Sequence, residues 1–234
     1  MIKSLKNWIF YRGYQFFGRN TFSQAGEDAI INNLLFQAGI LQPTYLELGV
    51  CHPWEGNNTY KFYLRGATGV LVEADGSQIS FIERSRPKDK VLNIGVTFTG
   101  EREAEFFIFD EKSVSTFSKE EAAIRQTSGN QLIKTVKVPL MSINQIIEEN
   151  FQNCPDILSI DIEGLDFEVL SQLDYKKYPI PIICAETCTY SLNHIKPKDR
   201  RIEELLSSYG YFLYADTYLN GIFVQNQWFK NLKH

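Results

Sequence analysis

The chain has 234 residues, of which 44% are hydrophobic and 22% are charged, and its formal net charge is −4. This composition is that of an ordinary globular protein, and a chain of this length can bury enough surface to form a core without disulfide or metal staples. The negative charge argues against a nucleic-acid-binding protein, which would present a basic surface. No apolar run approaches the roughly 20 residues that a membrane-spanning helix needs.

The four cysteines are too few and too scattered for a secreted disulfide scaffold. Cys184 and Cys188 precede His194, but this spacing fits no zinc template, and we interpret both as ordinary thiols. Reduced thiols predict a cytoplasmic protein.

Residues 1–20 form a basic, aromatic-rich segment ahead of a single predicted domain at residues 21–234. Arg12 and Gly13 interrupt the apolar stretch that a signal peptide would need. A segment of this kind can make a peripheral membrane contact through residues 1–19. Docking of the same residues on their own domain or on a second subunit is the favoured interpretation.

Strand-like and helix-like segments alternate along the domain, which is typical of a mostly parallel sheet covered by helices. Ser23 is predicted to cap a first helix whose opening turn holds Glu27 and Asp28. Continuous rather than alternating hydrophobicity predicts strands buried on both faces. Five such runs occur, at residues 45–48, 70–72, 91–96, 157–162 and 180–185.

A hairpin is predicted near the end of the chain, from residues 211–215 and 221–224, and it places one antiparallel strand in the sheet. The stretch between the third and fourth runs is predicted to be an insertion with two further strands, at residues 105–109 and 135–138. Ser142 to Gln145 forms a capping box for the helix that follows it.

Acidic residues recur where the predicted parallel strands end, and in open α/β sheets this carboxyl edge forms the ligand crevice. These acids are Glu47, Glu73, Asp75, Asp161, Glu163 and Glu186. A single acid of this kind often caps the next helix instead, but the same feature at four strand ends predicts a binding site.

The turn after the first strand begins at Gly49, which allows a ligand close to the backbone. Its glycine spacing is not that of a dinucleotide-binding loop, and Glu47 would repel a pyrophosphate but attract the amino group of a methionine. These features favour S-adenosylmethionine. Glu73 follows Gly49 by 24 positions (73 − 49), close to the usual place of the acid that accepts hydrogen bonds from ribose hydroxyls.

Asp161 and Glu163 are two positions apart and would face the same side of a strand. They could orient the methyl donor, accept a proton from the substrate or, together with Glu186, hold a divalent metal; alternatively, Glu163 complements the next helix N-terminus. Candidates for a general base are Asp161, His52 and His194. Residues 112–117, in the insertion, could form one wall of the acceptor site.

Four segments, in this order along the chain, resemble the FkbM family of methyltransferases. They are SQAGED at residues 23–28, YLELG at residues 45–49, GVLVEAD at residues 69–75 and DILSIDIEGLD at residues 156–166. The resemblance runs from about residue 21 to residue 224 and implies a seven-stranded, class I Rossmann-like fold. It also implies methylation of a hydroxyl group, often on a sugar, glycan or polyketide-type molecule, as in polysaccharide modification.

The same resemblance implies roles for particular residues at the cofactor. Gln24 and Glu27 would border it, Glu47 and Gly49 would lie at its methionine end, and Glu73 would bind its ribose; Asp75 and Asp161, at the same edge, are expected to border it as well. The chain departs from the commoner family turn, because residues 51–54 come before the second glycine. The alternatives are an NAD-dependent sugar oxidoreductase, disfavoured by the missing close glycine pair, and a non-catalytic S-adenosylmethionine-binding protein.

Overall fold

The computed structural model describes residues 21–188 and 198–232. The predictions made for the basic aromatic segment and for His194 therefore lie outside the described residues. Within the described ranges, no helix has both the length and the apolar character needed to cross a membrane.

In the described residues, ten strands form two sheets, and the larger sheet carries the predicted fold. The strands are β1 (Tyr45–Leu48), β2 (Gly69–Val72), β3 (Lys90–Leu92), β4 (Gly95–Thr97), β5 (Glu103–Phe109), β6 (Leu132–Ser142), β7 (Ile157–Ile160), β8 (Ile182–Glu186), β9 (Tyr211–Asp216) and β10 (Asn220–Gln225). The seven-stranded sheet has the order β3-β2-β1-β7-β8-β10-β9, and β10 is antiparallel to both of its neighbours. The prediction of an open, mostly parallel sheet with one antiparallel strand is confirmed.

Helices cover both faces of this sheet. They are α1 (Glu27–Gln37), α2 (Tyr60–Leu64), α3 (Gly76–Ser85), α4 (Lys119–Thr127), α5 (Ile143–Asn150), α6 (Asp166–Leu170), α7 (Arg200–Ser208) and α8 (Asn226–Lys230). Leu46 and Leu48 of β1 pack in a core with α5, α6 and α7, while Tyr45 points to the opposite face, where it packs in a second core with α1, α2 and α3. The parallel strands β1, β2, β7 and β8 are thus buried on both faces, as their continuous hydrophobicity predicted, whereas the edge strand β3 is only partly buried.

The insertion between β3 and α5 forms a second sheet with the order β4-β6-β5, together with α4 and a 3₁₀ turn at Lys112–Val114. Both predicted insertion strands are present, and both are longer than predicted. The side chain of Ser142 accepts a hydrogen bond from the Gln145 N–H at 3.2 Å, which confirms Ser142 as the N-cap of α5. The reciprocal half of the predicted capping box is not formed, because the Gln145 amide donates to Glu149 at 2.8 Å instead.

The third apolar run was wrongly predicted as a single strand. The structure ends β3 at Leu92 and starts β4, in the other sheet, at Gly95. Between them, the Asn93 amide donates to the carbonyl oxygens of Glu73 and Ala74 at 2.9 and 3.1 Å. The chain therefore leaves the main sheet at a polar residue that binds the backbone following β2.

The start of α1 also differs from the prediction. The N-cap position is Gly26, with φ 97°, and not Ser23. Ser23 still contributes, because its hydroxyl accepts a hydrogen bond from the Asp28 N–H at 3.2 Å. A folded-back segment, rather than a simple cap, satisfies this helix end.

Candidate active site at the carboxyl edge of the sheet

A cavity of about 190 Å³ opens where β1, β2 and β7 end. Its floor comes from the residues that follow those three strands, and its cover comes from the insertion. The residues that line it include Gln24, Gly49, Cys51, His52, Glu55, Glu73, Ala74, Ile94, Lys112, Ser113, Ser115, Phe117, Asp161, Ile162 and Glu163. The predicted edge of the sheet, and the predicted wall from residues 112–117, therefore do enclose one cavity.

Gly49 lies where the ends of β1 and β7 come closest together. Its φ is +83°, and a Cβ atom at this position would lie 1.9 Å from the carbonyl oxygen of Asp161. The Asp161 N–H donates to the Leu48 carbonyl at 3.0 Å, which holds the two strand ends side by side. A glycine is required here by the packing of the protein itself, before any ligand is considered.

Cys51 occupies the part of the turn where this chain departs from the commoner family pattern. Its φ of 50° is unusual for a residue other than glycine. Its N–H donates to the Glu73 carboxylate at 2.8 Å, so the turn is tied to the end of β2. Burial, with the nearby charges of Glu73, Glu163 and Asp161, raises the pKa of the Cys51 thiol to about 12. The thiol therefore stays protonated and is a poor nucleophile.

Glu73 is 7% exposed and faces the cavity. One carboxylate oxygen accepts the Cys51 N–H, and the other accepts the Asp75 N–H at 2.7 Å. Burial raises the pKa of Glu73, and the two backbone hydrogen bonds oppose that rise. Each oxygen has a second lone pair, so the carboxylate can also accept hydrogen bonds from the hydroxyl groups of a ligand.

Asp75 plays a different part from the one predicted, because it does not line the cavity. It caps α3 by accepting the Ser77 N–H at 3.0 Å, and it forms an ion pair with Lys112 of the insertion at 3.0 Å. Burial would raise the pKa of Asp75, but the hydrogen bonds from Ser77 and Lys112 outweigh it and lower the pKa. This residue fastens the insertion to the sheet.

Glu47 also faces away from the cavity. It is 4% exposed, accepts a hydrogen bond from the Thr59 hydroxyl at 2.5 Å, and lies 3.4 Å from a guanidinium nitrogen of Arg86. Arg86 is fully buried and donates to Asn57 and Thr59 at 3.1 and 2.8 Å. The expected contact of Glu47 with the methionine end of the cofactor is therefore not favoured. Instead, Glu47 and Arg86 fix the far end of the glycine turn.

Gln24 and Glu27, the two residues predicted from the first motif to border the cofactor, lie in different surroundings. Gln24 lines the cavity. Glu27 is fully buried away from it, and its carboxylate accepts hydrogen bonds from Thr217 at 2.6 Å, Asn220 at 3.0 Å and the Ala25 N–H at 2.9 Å. Burial opposes ionisation, but these hydrogen bonds lower the pKa of Glu27. Glu27 therefore joins α1 to the β9–β10 hairpin.

His52 lines the cavity, but its ring is poorly suited to act as a base. Its Nδ1 accepts the Glu55 N–H at 3.0 Å, and burial lowers the pKa of His52. A neutral ring with Nδ1 as acceptor carries its proton on Nε2, so neither nitrogen is left to take a proton. The ring packs edge-on against Trp54 and Phe81. With its proton on Nε2, His52 could donate a hydrogen bond but not accept a proton, and its ring lines the cavity.

Asp161 and Glu163 both face the cavity, as predicted. Glu163 accepts a hydrogen bond from Arg125 at 3.0 Å, and with Asp166 and Glu186 it also lines a smaller neighbouring cavity of about 170 Å³. The pKa of Asp166 is raised well above its ordinary value, mainly by burial and also by the charges of Asp161 and Glu186, which favours its protonated form. In the part of the chain that the structure describes, no three His, Cys, Asp or Glu side chains are arranged to hold a metal ion.

Arg86 and Arg125 were missed by sequence reasoning. Both are almost completely buried, and each contacts acids that are distant along the chain. Neither stands in a motif, and nothing in the local pattern around either arginine indicates burial.

A sequence model described as the methyltransferase FkbM domain matches residues 47–213. The chain belongs to the FkbM methyltransferase family. The match spans β1 to β9 and so includes the Gly49 turn, Glu73 and the Asp161 motif. A search of curated proteins found no match.

Two solved structures are similar in fold to this FkbM-family chain. One is the 1,6-didemethyltoxoflavin-N1-methyltransferase of Burkholderia thailandensis with bound 1,6-didemethyltoxoflavin and S-adenosylhomocysteine, which is 10% identical over 95% of this chain and 87% of that chain, with a TM-score of 0.40. Another is the magnesium protoporphyrin IX methyltransferase of Synechocystis PCC 6803 with bound S-adenosylmethionine, at 8% identity, 92% and 90% coverage and a TM-score of 0.39. Likenesses this distant bear on neither the site nor the acceptor.

Proposed function

We propose that this FkbM methyltransferase transfers a methyl group from S-adenosylmethionine to a hydroxyl group of a sugar, glycan or polyketide-type small molecule. The observation that carries the proposal is Glu73, a buried carboxylate that directly follows β2 and faces a cavity bordered by the Gly49 turn. Nucleoside-binding βαβ units place an acid at this position to accept hydrogen bonds from ribose.

The residues around the cavity fit this cofactor. Glu73 would hold the ribose hydroxyls, since hydrogen bonds to a charged acceptor contribute roughly 1.5–3 kcal/mol each. Ala74, Ile94 and Phe117 offer an apolar surface beside Glu73 for a purine ring. Gln24 and the backbone around Gly49 provide polar groups for the amino-acid end. Carboxylates in the lining favour a ligand that carries positive charge.

S-adenosylmethionine supplies, when bound, a methyl group activated by a positively charged sulfur. The task of the protein is then to align an acceptor oxygen with that methyl group and to exclude water, and good alignment contributes about 7–11 kcal/mol. Asp161 is the proposed general base: its carboxylate would take the hydroxyl proton as the acceptor oxygen bonds to the methyl carbon and the carbon–sulfur bond breaks, which leaves S-adenosylhomocysteine and a methyl ether. A base of this kind adds roughly 10²- to 10⁴-fold in rate.

The cavity gives less support to a nicotinamide dinucleotide. A pyrophosphate would need donors and positive charge near the first turn, whereas Glu55, Glu73, Asp161 and Glu163 all line the cavity. Lys112 also lines it, but its ammonium group is paired with Asp75. The local charge therefore favours a sulfonium over a pyrophosphate.

The proposal is tested in two steps. Calorimetry should show saturable binding of S-adenosylhomocysteine and no comparable binding of NAD. Transfer of a radioactive methyl group from S-adenosylmethionine should then be measured across a panel of hydroxylated sugars, glycans and polyketide-type compounds. Failure to bind S-adenosylhomocysteine would overturn the proposal. Binding without transfer to any acceptor would favour a non-catalytic binding protein instead.

A further inference from the structure

Two walls of the cavity come from parts of the chain that are far apart in sequence. One is the 3₁₀ turn Lys112–Val114 with the adjoining Ser115, which belongs to the insertion. The other is the turn at residues 161–164, which follows β7 and carries Asp161. Because both segments line the cavity, a change in their separation would change its shape.

Arg125 of α4 lies behind both walls and contacts each of them. Its side chain is 1% exposed. One guanidinium nitrogen, Nη1, donates to the carbonyl oxygen of Val114 in the 3₁₀ turn. The other, Nη2, donates to the Glu163 carboxylate at 3.0 Å and lies 3.6 Å from the Glu121 carboxylate on its own helix. A single buried side chain therefore connects the insertion to the turn after β7.

The turn that Arg125 holds has an unfavourable backbone. Glu163 has φ 58° and Gly164 has φ 99°, both in the left-handed region, which a residue such as glutamate rarely adopts. Residues in such conformations persist only where the surrounding structure determines them strongly. The ion pair with Arg125, and a 3.4 Å hydrogen bond from the Thr116 hydroxyl to the Glu163 carbonyl, provide that constraint.

We infer that Arg125 is a positioning residue for methyl transfer: it holds the Glu163 turn against the insertion and so fixes the shape of the cavity in which Asp161 lies. The inference rests on the proposed function. An arginine is needed because its planar fork can bind the Val114 carbonyl and the Glu163 carboxylate at once, whereas the single ammonium group of a lysine has no such fork.

The first test needs no cofactor. Hydrogen–deuterium exchange should be followed in residues 112–117 and 162–166 of the wild type, Arg125→Lys, Arg125→Met and Glu163→Gln. Lys137→Met is the matched control, because Lys137 forms an ion pair with Glu103 in the same insertion, but both side chains are largely exposed. Exchange should become faster in both segments in Arg125→Lys, Arg125→Met and Glu163→Gln. In Lys137→Met it should remain as in the wild type. Unchanged exchange, or a change confined to the insertion, would overturn the inference.

The second test separates positioning from simple stability. Binding of S-adenosylhomocysteine, kcat and KM should be measured well below the melting temperature of every variant. Arg125→Lys and Arg125→Met should each weaken binding by about tenfold or more, which corresponds to about 1.4 kcal/mol. The double variant Arg125→Met with Glu163→Gln should bind S-adenosylhomocysteine no more weakly than Arg125→Met alone. Arg125→Met already breaks the Arg125–Glu163 ion pair, so Glu163→Gln has no further ion pair to remove.

A merely structural role would lower the melting temperature while leaving the affinity and kcat of the folded variants unchanged, and that result would also overturn the inference. If Arg125→Met does not fold, Arg125→Lys and Glu163→Gln decide the question, since the Glu163 side chain is 28% exposed and an amide has nearly the same shape as its carboxylate. If the wild type itself does not bind S-adenosylhomocysteine, the proposed function fails. The exchange experiment then still shows whether Arg125 holds the two walls together.

Discussion

Gly49 and Asp161 are packed so closely that a Cβ atom on Gly49 would lie 1.9 Å from the Asp161 carbonyl oxygen. That oxygen belongs to the backbone, so it cannot move aside as the end of a flexible side chain can. Gly49 is therefore needed to bring this turn and the proposed base to the same edge of the sheet.

Gly49→Ala should destabilise the fold by about 2–5 kcal/mol, the sum of left-handed strain and overpacking. It should also weaken S-adenosylhomocysteine binding, because the ends of β1 and β7 must separate. Gly100→Ala is a matched control, since Gly100 has the same φ of +83° but no atom within 4 Å of an added Cβ. Chemical denaturation and calorimetry measure the two effects. Equal destabilisation of both variants would contradict the packing argument.

Glu73→Ala should weaken S-adenosylhomocysteine binding at least about tenfold, because it removes the charged acceptor for ribose. It also removes the acceptor of the Cys51 and Asp75 N–H groups, which loosens the turn. Glu83→Ala, on the exposed side of α3, controls for the loss of a carboxylate elsewhere. Calorimetric affinity unchanged from the wild type would remove Glu73 from the cofactor site.

Asp161→Asn should reduce turnover by about 100-fold, within the range expected for loss of a general base, while the fold survives. The asparagine amide has almost the same shape as the carboxylate, but it cannot take the proton from the hydroxyl group of the substrate. Asp110→Asn, at an exposed carboxylate of the insertion, is the control. Single-turnover methyl transfer and a thermal melt decide between the outcomes. Turnover near the wild-type value in a folded Asp161→Asn protein would mean that Asp161 is not the base.

Glu27→Gln should destabilise the protein at neutral pH by about 1–3 kcal/mol, because an amide nitrogen would replace an oxygen that now accepts a hydrogen bond. The pKa of Glu27 is lowered in the folded protein from its ordinary value of 4.5. The unfolded chain therefore binds the proton more readily, and this stabilisation is lost as the pH falls below about 4.5 and through the folded pKa.

Urea unfolding of the wild type and of Glu27→Gln at a series of pH values checks this sign. The difference in unfolding free energy should be largest near neutral pH and should narrow in acid. A difference that did not depend on pH would show that the hydrogen bonds to Thr217 and Asn220 do not favour the ionised carboxylate.

The elements of the core could be predicted because their signal is local. The run at residues 45–48 matches β1, and both strands of the terminal hairpin are present. A parallel strand must bury both faces, so its hydrophobicity is visible in the sequence itself. The prediction of a single strand at residues 91–96 was wrong because one polar residue, Asn93, forms hydrogen bonds with the backbone that follows β2.

The acids of the site show where this reasoning stops. Sequence placed Glu47, Glu73 and Asp161 at one edge of the sheet, and the structure agrees. Only the fold shows that Glu47 is bound by Arg86 on one side of the sheet while Glu73 faces the cavity. The difference depends on which donor lies nearby, and Arg86 is 39 residues further along the chain.

The sequence by itself determined the family, the mostly parallel sheet and the edge of the sheet where the candidate site lies, because these follow from local hydrophobic runs, turns and motif order. The tertiary structure alone decided which polar groups face the cavity and which form hydrogen bonds or ion pairs with other residues of the protein. A buried charge must find a donor, and that donor is chosen by proximity in space. Arg125 contacts both Val114 and Glu163, and these residues come together only when the chain has folded.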